Sequence, residues 1–350
     1  MKAGITYHII GGGIAGLAAA RFIKKKNKNS KVILYEASNT IGGRCFSFFD
    51  KKLGQYIDNA THVILGANHN VLNLMKDVKT FGGANFLHDN NISQKFWHFK
   101  EHILLSVFNT KPDEVCAKLV FNLLWKLLPF FPKKLNVFYS QGDLSEKLIT
   151  PLTHYVDEFK TGYILKGVEA IENIVKSLIF NKDKVEISPE DKIICAVDAA
   201  SYCKIFNKKN FEFNEITNIF YRTSTPLTLP QDKKFIATPQ NTTDWVFICG
   251  NITAVTISNS ENLTSNKDQL ARSIWQEIRK LCGQRAAFLP PYKIMRYRRA
   301  TIKQDKKNNS MRPYSALSDY KNMKVAGDWT MKDWPCCLEA AVISAKRAVK

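Results

Sequence analysis

Three glycines carry the first chemistry in this 350-residue sequence. They stand as Gly11-x-Gly13-x-x-Gly16, directly after the apolar run Ile5–Ile10 and directly before Leu17–Lys25, which has helical character. Gly11 suits a tight turn out of a strand. Gly13, with no side chain, lets a pyrophosphate approach the backbone. Gly16 lets the helix lie close on the sheet, and Ala15 keeps the same turn small. The N-terminus of such a helix offers free N–H groups and partial positive charge to phosphate. A second apolar run, Lys31–Tyr35, ends in Glu36 at about the twenty-residue spacing at which a carboxylate accepts from ribose hydroxyls. The unit reads as a βαβ dinucleotide fold.

Two further stretches refine the ligand. Gly42-Gly43-Arg44 allows a second close backbone approach and adds a cationic fork suited to phosphate; on its own the segment also suits a plain hairpin turn. Val325-Ala326-Gly327-Asp328-Trp329 is followed by a helical run from Leu338 to Val349. Asp328 can accept from a polyol, which NAD lacks and the ribityl chain of FAD has. The N-terminus of the last helix would face the flavin pyrimidine ring, where negative charge develops on reduction. Together the three motifs select FAD. No cysteine is recognisable as a covalent attachment point, so the expectation is noncovalent FAD.

These motifs resemble the flavin-containing amine oxidase and phytoene desaturase superfamily. Four segments are similar to the hydroxysqualene dehydroxylases within it, also called squalene-associated FAD-dependent desaturases. They are Asp58-Asn59-Ala60-Thr61-His62-Val63-Ile64-Leu65-Gly66, Tyr139-x-x-Gly142-x-Leu144-Ser145-Glu146, Arg298-Arg299-Ala300-Thr301, and Ala326–Thr330 with Pro335, Glu339 and Ala341. The resemblance implies that Gly11, Gly13, Ala15, Gly16, Glu36, Gly42, Gly43, Arg44, Gly327 and Asp328 hold FAD, with the Val168 backbone reaching the adenine. It places His62 near the flavin as the candidate catalytic residue, a proton donor to a leaving hydroxyl; a histidine that only orients its loop fits the same position. Asp58 and Asn59 read as loop-fixing groups. Arg299 reads either as an anion contact or as half of an interdomain salt bridge.

The implied activity is reductive removal of the hydroxyl of hydroxysqualene to give squalene, with NAD(P)H as the expected reductant and an isoprenoid lipid as substrate. The alternatives are carotenoid-type desaturation, amine oxidation, and a non-catalytic flavin- or lipid-binding protein. The sequence departs from the family at Ala60 and Thr61, which replace Gly and Gln, and at Cys336 and Cys337, which replace small residues. It is also short between Met75 and Tyr139, where the family builds a helical cap over the substrate.

The elements that must position these residues follow the same pattern. The fold class is α/β: a Rossmann-type, glutathione-reductase-like FAD-binding domain interleaved with a mixed-sheet substrate domain and a shortened helical cap. Residues 1–75, 137–203 and 304–350 are assigned to the first; 76–136 and 204–303 to the second. The stretch from Phe96 to Phe131 reads as helical, ended by Pro129 and Pro132, and Asp143–Val156 reads as one helix. In Val115–Lys134, Lys118, Asn122 and Lys126 recur on one face while the rest is apolar. That stretch fits either a packed cap helix or an interfacial helix with lysines toward lipid headgroups.

The formal net charge of +20 draws the chain to anionic surfaces. No zinc-finger, recognition-helix or RNA-binding signature accompanies it, so nucleic acid is not expected. The eight cysteines form no CxxC pair and no zinc spacing, so no metal site is expected. No signal peptide or spanning run is visible. The expected location is cytoplasmic, with peripheral contact on the inner face of the membrane. Nothing in the sequence reports the oligomeric state.

Overall fold

The computed structural model describes residues 5–77, 87–89, 100–127, 137–139, 143–238, 242–284, 288–313, 316 and 318–350. Its centre is a five-stranded sheet, all parallel, built around β1 (Thr6–Ile10). On one side of β1 lies β2 (Lys31–Glu36), then Glu158–Thr161; on the other lie Lys192–Cys195 and Met323–Val325. These strands read as continuous apolar runs because both faces of the sheet are covered. One face takes α1 (Ile14–Lys26) and the last helix, Leu338–Val349. Their small residues, Ala18, Ala19, Ala20, Ala341 and Ala345, are buried in one core and let the two helices lie close together. The other face takes a three-stranded antiparallel sheet, Leu165–Ile171, Ile174–Phe180 and Lys184–Glu186, with Phe180 stacked on Tyr35 at 4.6 Å. This layering gives the expected Rossmann-type α/β class.

A separate five-stranded antiparallel sheet runs in the order Phe235–Ala237, Trp245–Cys249, Ile252–Ser258, Phe213–Arg222, Tyr292–Ile302. The helix Lys267–Leu281 covers one face with Leu270, Ala271, Ile274, Trp275 and Ile278. The other face packs Phe220, Phe235 and Phe247 against Leu53 and Ile57 of a hairpin formed by Ser47–Asp50 and Gln55–Asp58. The hairpin thus carries the segment after Arg44 onto the second sheet.

The expected helix from Phe96 to Phe131 is two helices, Lys100–Phe108 and Ala117–Leu127; residues 96–99 and 128–131 lie outside the described residues. The break has a local cause. Asn109 takes a positive φ of 46° and uses its side chain elsewhere: its amide donates to the Asn214 carbonyl and Thr301 Oγ1, and its oxygen accepts from Asn259 N. Pro112 then removes a backbone donor. The expected helix Asp143–Val156 is also irregular, a π-turn at Ser145–Ile149 followed by Thr150–Thr153. Pro151 has no N–H for the carbonyl four residues back, which loosens that turn.

Glu339, buried at the start of the last helix, points its carboxylate at another helix. Its oxygens accept from Asn70 N at 3.0 Å, Asn70 Nδ2 at 2.7 Å and Val71 N at 2.9 Å, capping the helix His69–Asp77. A carboxylate at a helix N-terminus satisfies orphan donors and complements the dipole. Glu339→Ala is expected to lower the unfolding free energy by about 1–3 kcal/mol, the cost of stranding buried donors, measured by urea denaturation.

Candidate functional site

The site is assembled around the turn between β1 and α1. Gly11 sits at φ +109°, and a Cβ there would meet the Ala196 carbonyl oxygen at 2.5 Å. A Cβ on Gly16 would lie 2.0 Å from the Gly11 carbonyl oxygen, so the helix rides against the turn itself. Gly13 differs: a Cβ there would find nothing nearer than Gly43 Cα at 3.9 Å. It faces an open space bounded by the second glycine segment, which is fastened to the first by the Gly42 N–H donating to the Gly12 carbonyl at 2.9 Å. The helix begins at Gly13 with no side-chain cap, and Ala15 is buried in its first turn. An open cradle beside uncapped N–H groups is what a pyrophosphate requires.

Glu36 stands at the end of β2 as expected. Its Oε2 accepts from Gly12 N at 2.7 Å and its Oε1 from Ser38 N at 2.8 Å, and each oxygen keeps a lone pair for a hydroxyl. Val168 lies in the outer strand Leu165–Ile171, opposite Leu178, with its side chain against the core under the parallel sheet.

Arg44 connects three parts of the chain. Its Nη2 donates to Asp328 Oδ1 at 2.7 Å and its Nη1 to the Ala300 carbonyl at 2.5 Å. The Asp328 carboxylate makes the Arg44 guanidinium hold its proton more tightly than usual, outweighing burial. The fork expected to meet phosphate is therefore engaged first with Asp328, although 48% of the Arg44 side chain stays accessible on the open side. Arg299 is exposed and forms no ion pair among the described residues. The register between Phe213–Arg222 and Tyr292–Ile302 slips beside it, and it is the neighbouring Ala300 that reaches the site, through its backbone.

His62 sits directly over the Arg44 peptide. Its Nε2 lies 3.2 Å from the Arg44 carbonyl oxygen and 3.7 Å from Cys45 Sγ. Asn59 Nδ2 donates to the same carbonyl at 3.1 Å, and the Tyr297 hydroxyl donates to Asn59 Oδ1. Burial disfavours the imidazolium, but Cys45, the Arg44 carbonyl and Asp58 outweigh it and push the His62 pKa up to about 9. Burial, only partly offset by the hydrogen bond to Asn59, pushes Tyr297 up to about 12, so it stays a neutral donor. Asp58 fixes the hairpin, accepting from Ser47 Oγ at 2.7 Å and Leu144 N at 3.1 Å.

Two residues not anticipated from the sequence hold the C-terminal side. Arg312 is fully buried and donates to the carbonyls of Asp328, Trp329 and Trp334 and to Asn309 Oδ1. Gln304 donates to the Phe108 carbonyl at 2.6 Å and accepts from Cys336 N at 2.9 Å, tying the helix Lys100–Phe108 to the segment before the last helix. Neither lies in a recognisable motif; a polar residue carries no sign in a single sequence that it will be buried. Gly327, at φ +144°, leaves room for the Trp329 ring, whose Nε1 would be 2.7 Å from a Cβ there. Burial pushes the Cys336 and Cys337 thiols up to about 12 and 11, so they remain protonated.

The helix Ala117–Leu127 is turned opposite to an interfacial helix with lysines outward. Asn122 Nδ2 donates to Asp333 Oδ1 at 3.3 Å, Lys126 Nζ donates to the Asp333 carbonyl at 3.0 Å and sits over the Trp334 ring, and Lys118 lies 3.5 Å from Asp333. Asn122 and Lys126 face the protein, while Lys118, at 70% exposure, reaches Asp333 from the surface. Phe121, Leu124 and Trp125 face outward at 65%, 39% and 67% exposure, with the two rings stacked. Among the described residues no helix is long and apolar enough to cross a membrane.

Residues 14–145 and 81–350 match the family described as flavin containing amine oxidoreductase. A hydroxysqualene dehydroxylase of Rhodopseudomonas palustris (strain ATCC BAA-98 / CGA009) is 27% identical over 98% of this chain and 97% of its own length. That alignment spans 412 positions against 350 residues here, so the relative carries stretches this chain lacks. A second hydroxysqualene dehydroxylase, from Sinorhizobium fredii (strain NBRC 101917 / NGR234), is 25% identical over 97% of this chain and 96% of its own. The fold is shared with cyclohexylamine oxidase from Brevibacterium oxydans IH-35A, at TM-score 0.65 and 12% identity, covering 99% of this chain and 98% of that one. Reduced UDP-galactopyranose mutase superposes at TM-score 0.68 and 13% identity, covering 99% and 93%. The open cradle at Gly13 leads to a direct expectation. A Cβ at Gly13 meets no close neighbour, so Gly13→Val should take flavin per chain to near zero while far-UV circular dichroism stays that of the wild type.

Proposed function

We propose, from the premise that this chain belongs to the flavin containing amine oxidoreductase family, that it is an FAD-dependent enzyme removing the hydroxyl of an isoprenoid alcohol, with hydroxysqualene as substrate and squalene as product. The observation that carries this reading is the setting of His62, whose Nε2 faces the Arg44 carbonyl oxygen at 3.2 Å and Cys45 Sγ at 3.7 Å beside the glycine cradle. A site that breaks a carbon–oxygen bond reductively must give a proton to the departing oxygen, whereas desaturation and amine oxidation must take protons away. A histidine titrating at about 9 is charged at neutral pH and suits the donor's task. Full-length similarity to two proteins named hydroxysqualene dehydroxylase supports the substrate.

In this reading Gly11, Gly13, Ala15, Gly16, Gly42, Gly43 and the free side of Arg44 hold the pyrophosphate, Glu36 the adenosine ribose and Val168 the adenine. Gly327 and Asp328 hold the ribityl end. FAD held by these residues would, in its reduced form, supply the hydride, and a nicotinamide dinucleotide would be its reductant. His62 gives its proton to the hydroxyl, the carbon–oxygen bond breaks and water leaves. Balance holds with one hydride, one proton and one water per turnover. The substrate arrives from a lipid surface: Phe121, Leu124 and Trp125 enter the interface, and the net charge of +20 favours anionic headgroups on the inner face of the membrane.

Two experiments test this. Hydroxysqualene added anaerobically to the reduced protein should restore the oxidised-flavin absorbance, with squalene in the extract. No reoxidation, together with bleaching of the oxidised protein by a polyene precursor or an amine, would establish the oxidative reading instead. For the lipid surface, wild type should float with anionic vesicles even in about 1 M salt, where charges are screened within about 3 Å. Phe121→Ser/Trp125→Ser should then stay at the bottom of the gradient; flotation of this variant at high salt would remove the helix from the contact.

A further inference from the structure

The nitrogen of His62 that meets the protein is already fixed, and this bears on which nitrogen can meet a substrate. Nε2 faces the Arg44 carbonyl at 3.2 Å and Cys45 Sγ at 3.7 Å, whereas Nδ1 has no hydrogen-bond partner among the described residues. A carbonyl oxygen only accepts, so Nε2 must carry a proton in both charge states of the ring. The titrating proton is then the one on Nδ1. Cys45 is buried, at 3% exposure, and its sulfur stands on the same side of the ring as the carbonyl.

We propose that Cys45 is a positioning residue: its sulfur, with the Arg44 carbonyl, grips the Nε2–H of His62, locks the ring in one tautomer, and leaves Nδ1 as the atom that delivers the proton to the substrate. The proposal rests on His62 being the proton donor in the reading above. The other groups around the ring do not replace the thiol. The Arg44 guanidinium is turned away to Asp328. Asp58 is committed to Ser47 Oγ and Leu144 N and acts on the ring only through space. Asn59 and Tyr297 are neutral and hold each other and the Arg44 carbonyl. Among the described residues Cys45 is thus the one polarisable side chain in contact with Nε2, and its polarisable sulfur stabilises the charged ring.

The consequence has a sign. His62 is charged below about pH 9, so the donor is present at neutrality and is lost as pH rises through that value. The test uses the FAD-loaded protein carrying ¹⁵N-labelled histidine, with His62→Gln to assign the signal. In the wild type the neutral ring should carry its proton on Nε2, and the titration should centre near 9. Cys45→Ala should move the midpoint down by about one unit or more, and the alkaline limb of hydroxysqualene turnover should move down with it. Cys45→Ser, which keeps an acceptor and suits a core that will not tolerate the cavity, should recover part of the shift. An unchanged titration in both variants, or a neutral ring protonated on Nδ1, would overturn the proposal. Absence of hydroxysqualene turnover with the titration behaving as stated counts against the substrate, not against the grip of Cys45 on His62.

Discussion

One ion pair, Arg44 to Asp328, sets the positions of the other groups at the site. It joins residues 284 apart in sequence, at 2.7 Å. Asp328 lies in the interior with 8% of its side chain exposed, and a carboxylate there is stable only when paired. The pairing obliges the glycine segment after β2 to meet the turn before the last helix. Because Arg44 also donates to the Ala300 carbonyl, the outer strand of the antiparallel sheet is drawn to the same point. Three separate stretches of chain converge on one guanidinium. The accessible half of Arg44 tempers its contribution to stability, since a pair open to solvent is partly screened; its larger effect is on geometry.

Behind that pair the C-terminal turn is held by a cation that forms no ion pair among the described residues. Arg312 donates to three carbonyls and one side-chain amide oxygen. Carbonyl dipoles satisfy its donors without cancelling its charge. With Arg44 paired to Asp328, the Arg312 charge is left over, and a protonated His62 adds a second positive charge at the site. Such an environment favours an anion in the cradle, whether pyrophosphate or a reduced ring bearing negative charge. The buried carboxylate of Glu339, in the first turn of the last helix, is committed to capping the helix His69–Asp77.

What the sequence revealed and what it hid divide along a physical line. The glycines were legible because backbone conformation and close approach leave few residue choices: Gly11 and Gly16 admit no Cβ. Parallel strands were legible as apolar runs, and Leu338–Val349 by its helical period. The strand Tyr292–Ile302 was not, because Arg296, Arg298 and Arg299 interrupt the apolar pattern that marks a buried strand. Glu158–Thr161 was missed because it is short and half charged, and joins the sheet only at its edge. Site residues showed the same division. Glu36 and Asp328 belong to spaced motifs. Arg312, Gln304 and Cys45 act through partners distant in sequence or through the orientation of a ring, and single residues of these types carry no local signature of such contacts.

The helix Ala117–Leu127 is fastened by its polar edge, through Lys118, Asn122 and Lys126, to Asp333 and Trp334, while among the described residues only Leu119 of its larger apolar side chains is fully buried. Its outer aromatic edge therefore has no duty to the core. Substitutions on such a surface ordinarily alter folding free energy by less than about 0.5 kcal/mol. The outer edge is free to drift over evolutionary time, gaining or losing greasy residues without any need to solve the fold again. The polar edge has no such freedom, because it holds the stretch that leads into the last helix. Evolution can thus retune the character of this surface and the architecture beneath it on separate clocks.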